Sequence, residues 1–311
     1  MRPTRRAFLE TSVLAAVGAA GAARLRAATG SGGASILDRT GVALYTVRDL
    51  MKEPGPTLEA IAKLGYKYVE GGLNVPGLAA AAKAAGLKQA SAYVPTYLVT
   101  GNRQAWAGSG ELLPESYTWQ QAVDEAKGRG LEYLVVAYLQ PAERGGLDGY
   151  RRVAAQLDKA GETCRKAGLA LAYHAHAFEY EPIDGKKPLD VMLKESSPDH
   201  LSLELDTFWA SIGGQDPVAM LGALKGRVPL VHLKDKAKGT PVQYDNGKVP
   251  KEAFKEVGNG AVDFAAFFKL AATTGVKYCY VEQDYCVGST PLDSLRTSYA
   301  NIKKLTAGIG S

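Results

Sequence analysis

The sequence has few of the residues that build disulfide frameworks or thiolate metal sites. Its 311 residues include three cysteines, Cys164, Cys279 and Cys286, and no two of them have CxxC spacing. An odd number of cysteines without that spacing indicates neither a disulfide scaffold nor a cysteine zinc site. We therefore expect the cysteines to act as small buried hydrophobic residues. Histidine is scarce too, with four in the chain.

Runs of like charge and long apolar segments are also missing. The formal net charge is +5, but no block of five or more like charges occurs, which argues against a nucleic-acid partner. After the N-terminal region no apolar run reaches the ~20 residues that span a membrane. Because 46% of the residues are hydrophobic and 22% are charged, the chain can bury one large core.

The first thirty residues have a composition of their own. A basic start, MRPTRRAFLE, precedes the apolar stretch TSVLAAVGAAGAA and a segment rich in small residues. This order is typical of a signal peptide. Residues 4–9, TRRAFL, resemble the twin-arginine export signal, although Glu10 replaces the usual basic residue. We predict a signal peptide over residues 1–30 and a periplasmic or secreted protein that is exported folded and has no membrane partner after signal removal.

From residue 40, short apolar runs alternate with amphipathic stretches, several of which end in glycine. Eight runs are predicted strands: 41–47, 66–72, 88–94, 131–139, 169–178, 201–208, 228–235 and 277–284. This number favours a (β/α)8 TIM barrel, and the missing GxGxxG motif after the first run argues against a doubly wound sheet. We predict one α/β domain over residues 36–308, with long loops at 95–118 and 236–262.

Ionisable residues concentrate at the ends of these apolar runs. The residues concerned are Glu70, His174, His176, Glu179, Glu204, Asp206, His232, Lys234, Asp235, Glu282 and Asp284. Charged side chains rarely enter apolar strands unless they are paired, hydrogen-bonded or bound to metal. Since TIM-barrel chemistry lies at the carboxyl ends of the strands, the pattern indicates an active site there.

Side-chain alternation along a strand sorts some of these residues. Glu204 and Asp206 share one face of their strand, as do His232 and Lys234, and as do Glu282 and Asp284. On the fifth strand His174 and His176 share a face, but Glu179 has the opposite parity. Alternation alone therefore does not decide whether Glu179 lies past the strand end near the site or on the surface. His200 precedes the sixth strand, and we expect it to be structural.

Several carboxylates with an imidazole suit a hard or borderline divalent cation that polarises a carbonyl group while a carboxylate moves a proton. A set of buried ion pairs, for instance Asp206 with Lys234, is the structural alternative. For His174 and His176, structural hydrogen bonding is as good an explanation as ligation.

Seven segments together resemble the sugar phosphate isomerase/epimerase family, also called the xylose isomerase-like barrel superfamily, over residues 40–307. They are LYTVRD (44–49), YVEGG (68–72), YHAHAFEY (173–180), ELDTFWA (204–210), VHLKD (231–235), GNGAVDF (258–264) and VEQD (281–284). The resemblance implies one divalent metal ion, with Mn²⁺ expected first and Mg²⁺, Co²⁺ or Zn²⁺ as alternatives.

The resemblance also implies roles for individual residues. The metal ligands would be Glu179, Asp206, His232 and Glu282, with Glu179 and Glu282 also forming the catalytic acid-base pair. Five further residues would contact the sugar or position the ligands: Glu70, His176, Tyr45, Arg48 and Lys234. A three-zinc DNA-repair enzyme of the same fold is disfavoured, because those enzymes use many histidines.

Three positions depart from the usual pattern of the family. Ala43 stands where a Gln is frequent, Asn259 where a Glu is frequent, and Ala175 where an Asn is frequent. These departures affect expected substrate contacts more than metal ligands. They leave the substrate open.

The leading hypothesis is a metal-dependent sugar isomerase or epimerase that removes a proton next to a carbonyl of an unphosphorylated sugar or polyol. The alternatives are a dehydratase or lyase that cleaves 3-keto-glycosides by β-elimination, and a non-catalytic sugar-binding barrel. The expected partner is a small carbohydrate, and a homo-oligomer is compatible with the sequence.

Overall fold

A computed structural model of the protein describes residues 35–109 and 112–309, so the predicted signal peptide lies outside the described residues. Eight parallel strands form a closed barrel: β1 (Thr40–Ala43), β2 (Tyr68–Gly72), β3 (Lys88–Val94), β4 (Tyr133–Ala137), β5 (Ala170–His174), β6 (Leu201–Asp206), β7 (Leu230–Leu233) and β10 (Tyr278–Val281). Strand β10 pairs with both β7 and β1, which closes the barrel. The predicted TIM-barrel fold is confirmed.

Helices pack around the strands in the described chain. They are α1 (Pro54–Leu64), α2 (Leu78–Ala84), α3 (Tyr97–Thr100), α4 (Trp119–Gly128), α5 (Gly146–Ala167), α6 (Pro188–Glu195), α7 (Thr207–Ile212), α8 (Pro217–Ala223), α9 (Phe264–Thr274) and α10 (Pro291–Leu305). The longest, α5, buries Tyr150, Val153, Leu157, Ala160 and Cys164, a spacing of three to four residues that forms one apolar stripe. No described helix is long and apolar enough to span a membrane.

Six of the eight barrel strands end earlier than the apolar runs predict, and β1 and β5 do so by four residues each. Strand β1 stops at Ala43, and residues 44–50 continue as a 3₁₀ helix. Strand β5 stops at His174, and the chain turns into a short 3₁₀ helix at residues 178–180. Side-chain alternation therefore cannot be extended from β5 to Glu179.

The core has an inner and an outer layer. Alternate residues of the strands, Ala43, Val135, Ala172, Leu230 and Tyr280, form an apolar cluster inside the barrel. Their neighbours along the strands, such as Leu134 and Tyr173, belong to the larger core shared with the helices. Cys164 and Cys279 are buried, Cys286 is half-buried, and all three are free.

The loop after β7 is organised by one carboxylate. It carries a two-stranded antiparallel sheet, β8 (Asp235–Lys236) with β9 (Phe254–Lys255). The Asp235 carboxylate accepts hydrogen bonds from the backbone N–H groups of Lys236, Gly258, Gly260, Ala261 and Val262. A Cβ atom at Gly260 would lie 2.3 Å from the Lys236 carbonyl oxygen, so only glycine fits beside this carboxylate.

Candidate metal centre

A cavity of about 610 Å³ opens at the carboxyl ends of the barrel strands. His174, Glu282 and Asp284 line its polar part. Aromatic side chains line much of the remainder: Tyr45, Tyr93, Trp106, Tyr138, Trp209, Phe254 and Tyr285. Three of these come from loops after β3, β4 and β10, so residues distant in the sequence build one site.

Asp206 is the most firmly oriented carboxylate of the site. It ends β6 and caps the N-terminus of α7, because its Oδ1 accepts hydrogen bonds of 2.7 and 2.8 Å from the backbone N–H groups of Phe208 and Trp209. Its Oδ2 is buried and accepts no hydrogen bond from the residues that the structure describes. That oxygen lies 3.8 Å from His174 Nε2 and 4.0 Å from His232 Nδ1.

His232 lies at the centre of the cluster and is fully buried. Its Nδ1 is 3.1 Å from Glu282 Oε2, and its Nε2 is 2.7 Å from Glu70 Oε2 and 3.4 Å from Glu204 Oε2. Burial alone would lower the pKa of His232, but the carboxylates of Glu204 and Glu282 raise it well above its usual range. The two ring nitrogens therefore face two different sets of carboxylates.

Lys234 supplies a positive charge beside the same carboxylates. Its fully buried Nζ lies 2.5 Å from Glu282 Oε2, 2.6 Å from Asp284 Oδ1 and 3.2 Å from Asp206 Oδ2. These three carboxylates raise the pKa of Lys234 well above its usual range, although burial opposes them. The contact of Asp206 with Lys234 is the ion pair expected as the structural alternative, but it does not neutralise all the acids.

The carboxyl groups of Glu282, Glu204 and Asp284 differ in their pKa values. Burial raises the pKa of Glu282, but Lys234 and His232 together hold it well below its usual range. Burial and the nearby Glu70 raise the pKa of Glu204 well above its usual range. Burial raises the pKa of Asp284 to about 6. Glu282 is thus an anion at neutral pH, while Asp284 titrates close to the pH at which general acids and bases work best.

These residues fit a divalent cation. The candidate ligand atoms of His174, Asp206 and His232 all lie within 4.8 Å of one another. Metal–ligand bonds of about 2.1 Å place adjacent ligands about 3 to 3.5 Å apart. The separation of 3.1 Å between His232 Nδ1 and Glu282 Oε2 falls in that range, and those of 3.8 and 4.0 Å to Asp206 Oδ2 need a small contraction. The donors are nitrogen and oxygen only, which suits Mn²⁺, Mg²⁺, Co²⁺ or Zn²⁺.

The structure brings together three of the four ligands that the resemblance implies, Asp206, His232 and Glu282, and places Glu179 elsewhere. The Glu179 carboxylate accepts a hydrogen bond from the Tyr173 hydroxyl and one of 2.8 Å from the His176 backbone N–H. Because the Tyr173 ring belongs to the outer core, Glu179 is held on the helix side of the barrel. Burial raises the pKa of Glu179 to about 7.

Of the five residues expected to contact the sugar or position the ligands, some line the cavity and others do not. Tyr45 and His176 line the cavity. Arg48 is exposed and donates hydrogen bonds to the carbonyl oxygens of Tyr45 and Asp284, so it supports the rim. Lys234 lies among the carboxylates rather than in the cavity lining, and Glu70 is fully buried in the barrel interior against His232.

Some site residues are not among those that the sequence reasoning selected. The resemblance gives His174 no ligand role and favours it as a structural residue, yet its Nδ1 lies 3.0 Å from Glu204 Oε2 and its Nε2 faces Asp206. Burial, followed by the neighbouring His232, lowers the pKa of His174 well below its usual range, so its ring is neutral. Asp284 shares its strand face with Glu282, and that parity was the available signal for its role.

The aromatic side of the cavity is continuous. Ring centroids are 5.2 Å apart for Tyr138 and His176, 5.4 Å for His176 and Trp209, 5.8 Å for Trp209 and Phe254, and 5.3 Å for Phe254 and Tyr285. Tyr138 has a φ of 74°, a left-handed conformation that is rare for a tyrosine and is typical of functional sites. We call these five side chains the aromatic wall.

Comparisons with known proteins agree with this architecture. The model of the family described as xylose isomerase-like TIM barrel matches residues 58–305. An inosose dehydratase of Geobacillus kaustophilus is 24% identical over 241 residues, which cover 68% of this chain and 73% of that protein. Other inosose dehydratases align over less than two thirds of their own length, for example 55% of one from Clostridium perfringens at 27% identity.

Solved structures show the same fold at low identity. A sugar phosphate isomerase/epimerase from Parabacteroides distasonis superposes with a TM-score of 0.69 and 23% identity, covering 92% of this chain and 99% of that one. A zinc-binding IolI protein superposes with a TM-score of 0.65 and 17% identity, covering 88% and 99%. At these identities the likeness concerns the fold alone.

Proposed function

Because this chain belongs to the xylose isomerase-like TIM barrel family, we propose that it is a metal-dependent enzyme that removes a proton next to the carbonyl of an unphosphorylated keto-sugar or keto-polyol. The observation that carries the proposal is the group of His174, Asp206 and His232, with Glu282 beside them, at the polar end of a cavity of about 610 Å³. The zinc in the IolI neighbour and the keto-polyol implied by the name inosose dehydratase support it.

His174, Asp206, His232 and Glu282 would hold the ion. When bound, a divalent cation polarises the carbonyl oxygen and stabilises the negative charge that develops when the neighbouring C–H bond breaks. Lys234 keeps Glu282 anionic and sits within 2.6 Å of Asp284, which positions both carboxylates. Asp284 lines the cavity and titrates near neutral pH, so it is the proposed proton carrier.

Among the possible outcomes of proton removal, the geometry favours elimination. An epimerase needs an acid and a base on opposite faces of the sugar, and the resemblance assigned those roles to Glu179 and Glu282. Glu179 is directed to the helix side of the barrel, whereas Glu282 and Asp284 come from the same strand end. In β-elimination a carboxylate takes the proton from the carbon next to the carbonyl, a C=C bond forms and the C–O bond at the β-carbon breaks. The protonated carboxyl group returns the proton to the β-oxygen, which leaves as water or as an alcohol.

The size and lining of the cavity favour the glycoside form of this reaction. The volume of about 610 Å³ exceeds what one sugar ring needs, and the aromatic wall offers faces on which a second ring can stack. A 3-keto-glycoside would place its keto ring at the polar end and its leaving group along the aromatic wall.

Mn²⁺ is the first ion to test. Export directed by residues 1–30 stays a prediction.

The test is incubation in D₂O with a panel of keto-polyols, keto-hexoses and 3-keto-glycosides, followed by mass spectrometry. Elimination gives a product lighter by one water or by the leaving alcohol, whereas isomerisation or epimerisation gives an isomer that carries one deuterium. Purified protein should contain about one divalent ion per chain, and chelation should abolish turnover. Tight sugar binding without exchange or turnover, unaffected by chelation, would overturn the proposal in favour of a binding barrel.

A further inference from the structure

Glu70 is a buried carboxylate to which the proposed reaction gives no part. It lies on β2 in the barrel interior, fully buried, and it is not among the residues that line the cavity. We propose that Glu70 is a positioning residue that determines which ring nitrogen of His232 faces the metal. The inference rests on the metal site of the proposed function, but it concerns a residue outside the expected ligand set.

The contacts of Glu70 fix its carboxylate at both oxygens. Ser91 Oγ donates to Oε1 at 2.5 Å, and the Tyr93 hydroxyl donates to Oε2 at 2.7 Å. Ser91 Oγ in turn lies 2.8 Å from the Tyr280 hydroxyl. Because Ser91 and Tyr93 belong to β3, the neighbour of β2, and Tyr280 belongs to β10 beyond β1, the carboxylate is held from two strands and has little freedom to rotate.

This fixed carboxylate meets one nitrogen of His232. Glu70 Oε2 lies 2.7 Å from Nε2, while Nδ1 on the other side of the ring lies 3.1 Å from Glu282 Oε2 and 4.0 Å from Asp206 Oδ2. A carboxylate has no proton to give. The Tyr93 hydroxyl also lies 3.0 Å from Nε2, but it donates its proton to Glu70 Oε2, so Nε2 carries a proton and donates it to the carboxylate. The lone pair of Nδ1 is thereby available to the cation, the arrangement in which a carboxylate orients a metal-binding histidine.

A second cation between Glu70, Glu204 and His232 is the rival explanation, since their ligand atoms also lie within 4.8 Å of one another. The hydroxyl groups of Ser91 and Tyr93 argue against it. Glu70 Oε2 accepts from the Tyr93 hydroxyl and from His232 Nε2, which uses both of its lone pairs, and Ser91 donates to Oε1. The Glu70 side of His232 is therefore a hydrogen-bonding shell, and the Glu282 side is the metal side.

The first experiment compares zinc affinity in wild type, Glu70→Gln and Glu143→Gln. Gln has the shape of Glu but presents an amide N–H₂ as readily as an oxygen, so it no longer dictates which ring nitrogen carries the proton. We expect zinc affinity, measured by competition with a chromophoric chelator, to fall about 10- to 100-fold in Glu70→Gln. Glu143→Gln makes the same change at a buried glutamate that bonds Trp106 outside the metal centre, and it should bind zinc as wild type does.

The second experiment needs no variant and so does not depend on how Glu70→Gln folds. The four histidines can be labelled with ¹⁵N, and two-bond ¹H–¹⁵N correlation of the zinc-loaded protein identifies the protonated nitrogen of each ring. We expect the His232 ring, assigned through loss of its signals in His232→Asn, to carry its proton on Nε2 and to bind zinc through Nδ1. Zinc on Nε2 would overturn the inference.

The outcomes separate this inference from the proposed function. Equal zinc affinity in wild type and Glu70→Gln would overturn the role of Glu70 while leaving the metal site intact. Failure of wild type to bind any divalent metal would overturn both. Because neither measurement uses a substrate, an inactive but zinc-binding protein still tests the role of Glu70.

Discussion

Glu179 and Glu282 are the same residue type, both are buried, and the resemblance gives them the same two roles, yet they lie in opposite electrostatic environments. Glu282 faces the cavity, where Lys234 and His232 hold its pKa well below the usual range. Glu179 faces the helices, and burial raises its pKa to about 7, with hydrogen bonds from Tyr173 and His176 acting in the opposite direction. The cations around a buried carboxylate, rather than burial itself, decide whether it is ready to bind a metal.

The difference starts with the backbone. Glu282 follows β10 directly, so its side chain keeps the alternation of the strand and shares the inward face of Tyr280. Glu179 comes after β5 has ended at His174, in a 3₁₀ helix. Its carboxylate accepts the backbone N–H of His176, which lies within this turn, and so contributes to the shape of the loop instead of entering the cavity.

Replacing either glutamate by glutamine should affect activity and metal content most strongly at Glu282. Glu282→Gln removes a proposed ligand and the carboxylate closest to Lys234 Nζ, so we expect kcat/KM to fall about 1000-fold and metal content to fall with it. Glu179→Gln should retain the metal content of wild type. Elemental analysis of both purified variants after dialysis against a trace of Mn²⁺ checks this prediction.

The Glu282→Gln and Glu179→Gln variants can also show that the two glutamates do not differ in this way. Loss of metal from Glu179→Gln, with an unfolding midpoint equal to that of wild type, would mean that the turn after β5 rearranges to bring Glu179 to the cation. Asp206→Asn is a useful reference, because the amide oxygen can still cap α7 while the ligand charge is lost.

Much of the fold and part of the site follow from the sequence for physical reasons. Eight apolar runs alternate with helical patterns that end in glycine. Eight strand-helix units are the number that forms a closed (β/α)8 barrel, so the sequence predicts the fold. Asp206, His232 and Glu282 lie within or just after regular strands, where a two-residue period determines the inward face. The sequence therefore predicts that the side chains of these three residues converge.

Other parts of the site depend on contacts that local patterns do not contain. The period of two is lost once β5 ends, so the side on which Glu179 lies is set by Tyr173 and by the backbone turn. His174 keeps the strand period but has no sequence feature that separates a ligand from a structural histidine. The aromatic wall combines Tyr138 from the loop after β4, Trp209 from α7 and Phe254 from β9, and their assembly is a consequence of tertiary packing.

An effect of intermediate size concerns the pH dependence of stability. The pKa of Glu179 is raised in the folded state from 4.5 to about 7. A carboxyl group of this kind contributes most stability below its unfolded pKa and loses that contribution as the pH rises through its folded pKa. Between pH 4.5 and 7 the wild type should therefore lose up to about 3 kcal/mol relative to Glu179→Gln, whose amide does not titrate.

Guanidinium unfolding of the two proteins at pH 5 and pH 8 measures this change, and the difference between them cancels the other titrating groups. We expect Glu179→Gln to gain stability relative to wild type at the higher pH. A constant difference across this range would show that Glu179 is already ionised at pH 5, and the two glutamates would then resemble each other more than their surroundings indicate.

The smallest change is expected at a third buried glutamate, Glu143, which lies outside the metal centre and supports the cavity lining. Its Oε2 accepts a hydrogen bond of 3.1 Å from Trp106 Nε1, and its Oε1 accepts one of 2.6 Å from Thr100 Oγ1. Its Oε2 also accepts a hydrogen bond of 2.8 Å from the Gln140 backbone N–H and so helps to hold the turn after β4. Glu143→Gln weakens a charge-assisted hydrogen bond, which is worth about 1 kcal/mol and corresponds to roughly a five-fold change in binding. We expect KM for a two-ring glycoside to rise by about that factor, with kcat and metal content unchanged.

A single-ring keto-sugar is the internal control for this variant, because a substrate that occupies only the polar end of the cavity does not reach Trp106. Its KM should stay within about two-fold of the wild-type value. Trp106→Phe keeps the aromatic face but removes the N–H that Glu143 accepts, so it should reproduce the Glu143→Gln effect if that hydrogen bond places the ring. Equal changes for one-ring and two-ring substrates would show that Glu143 acts on the whole cavity rather than through Trp106.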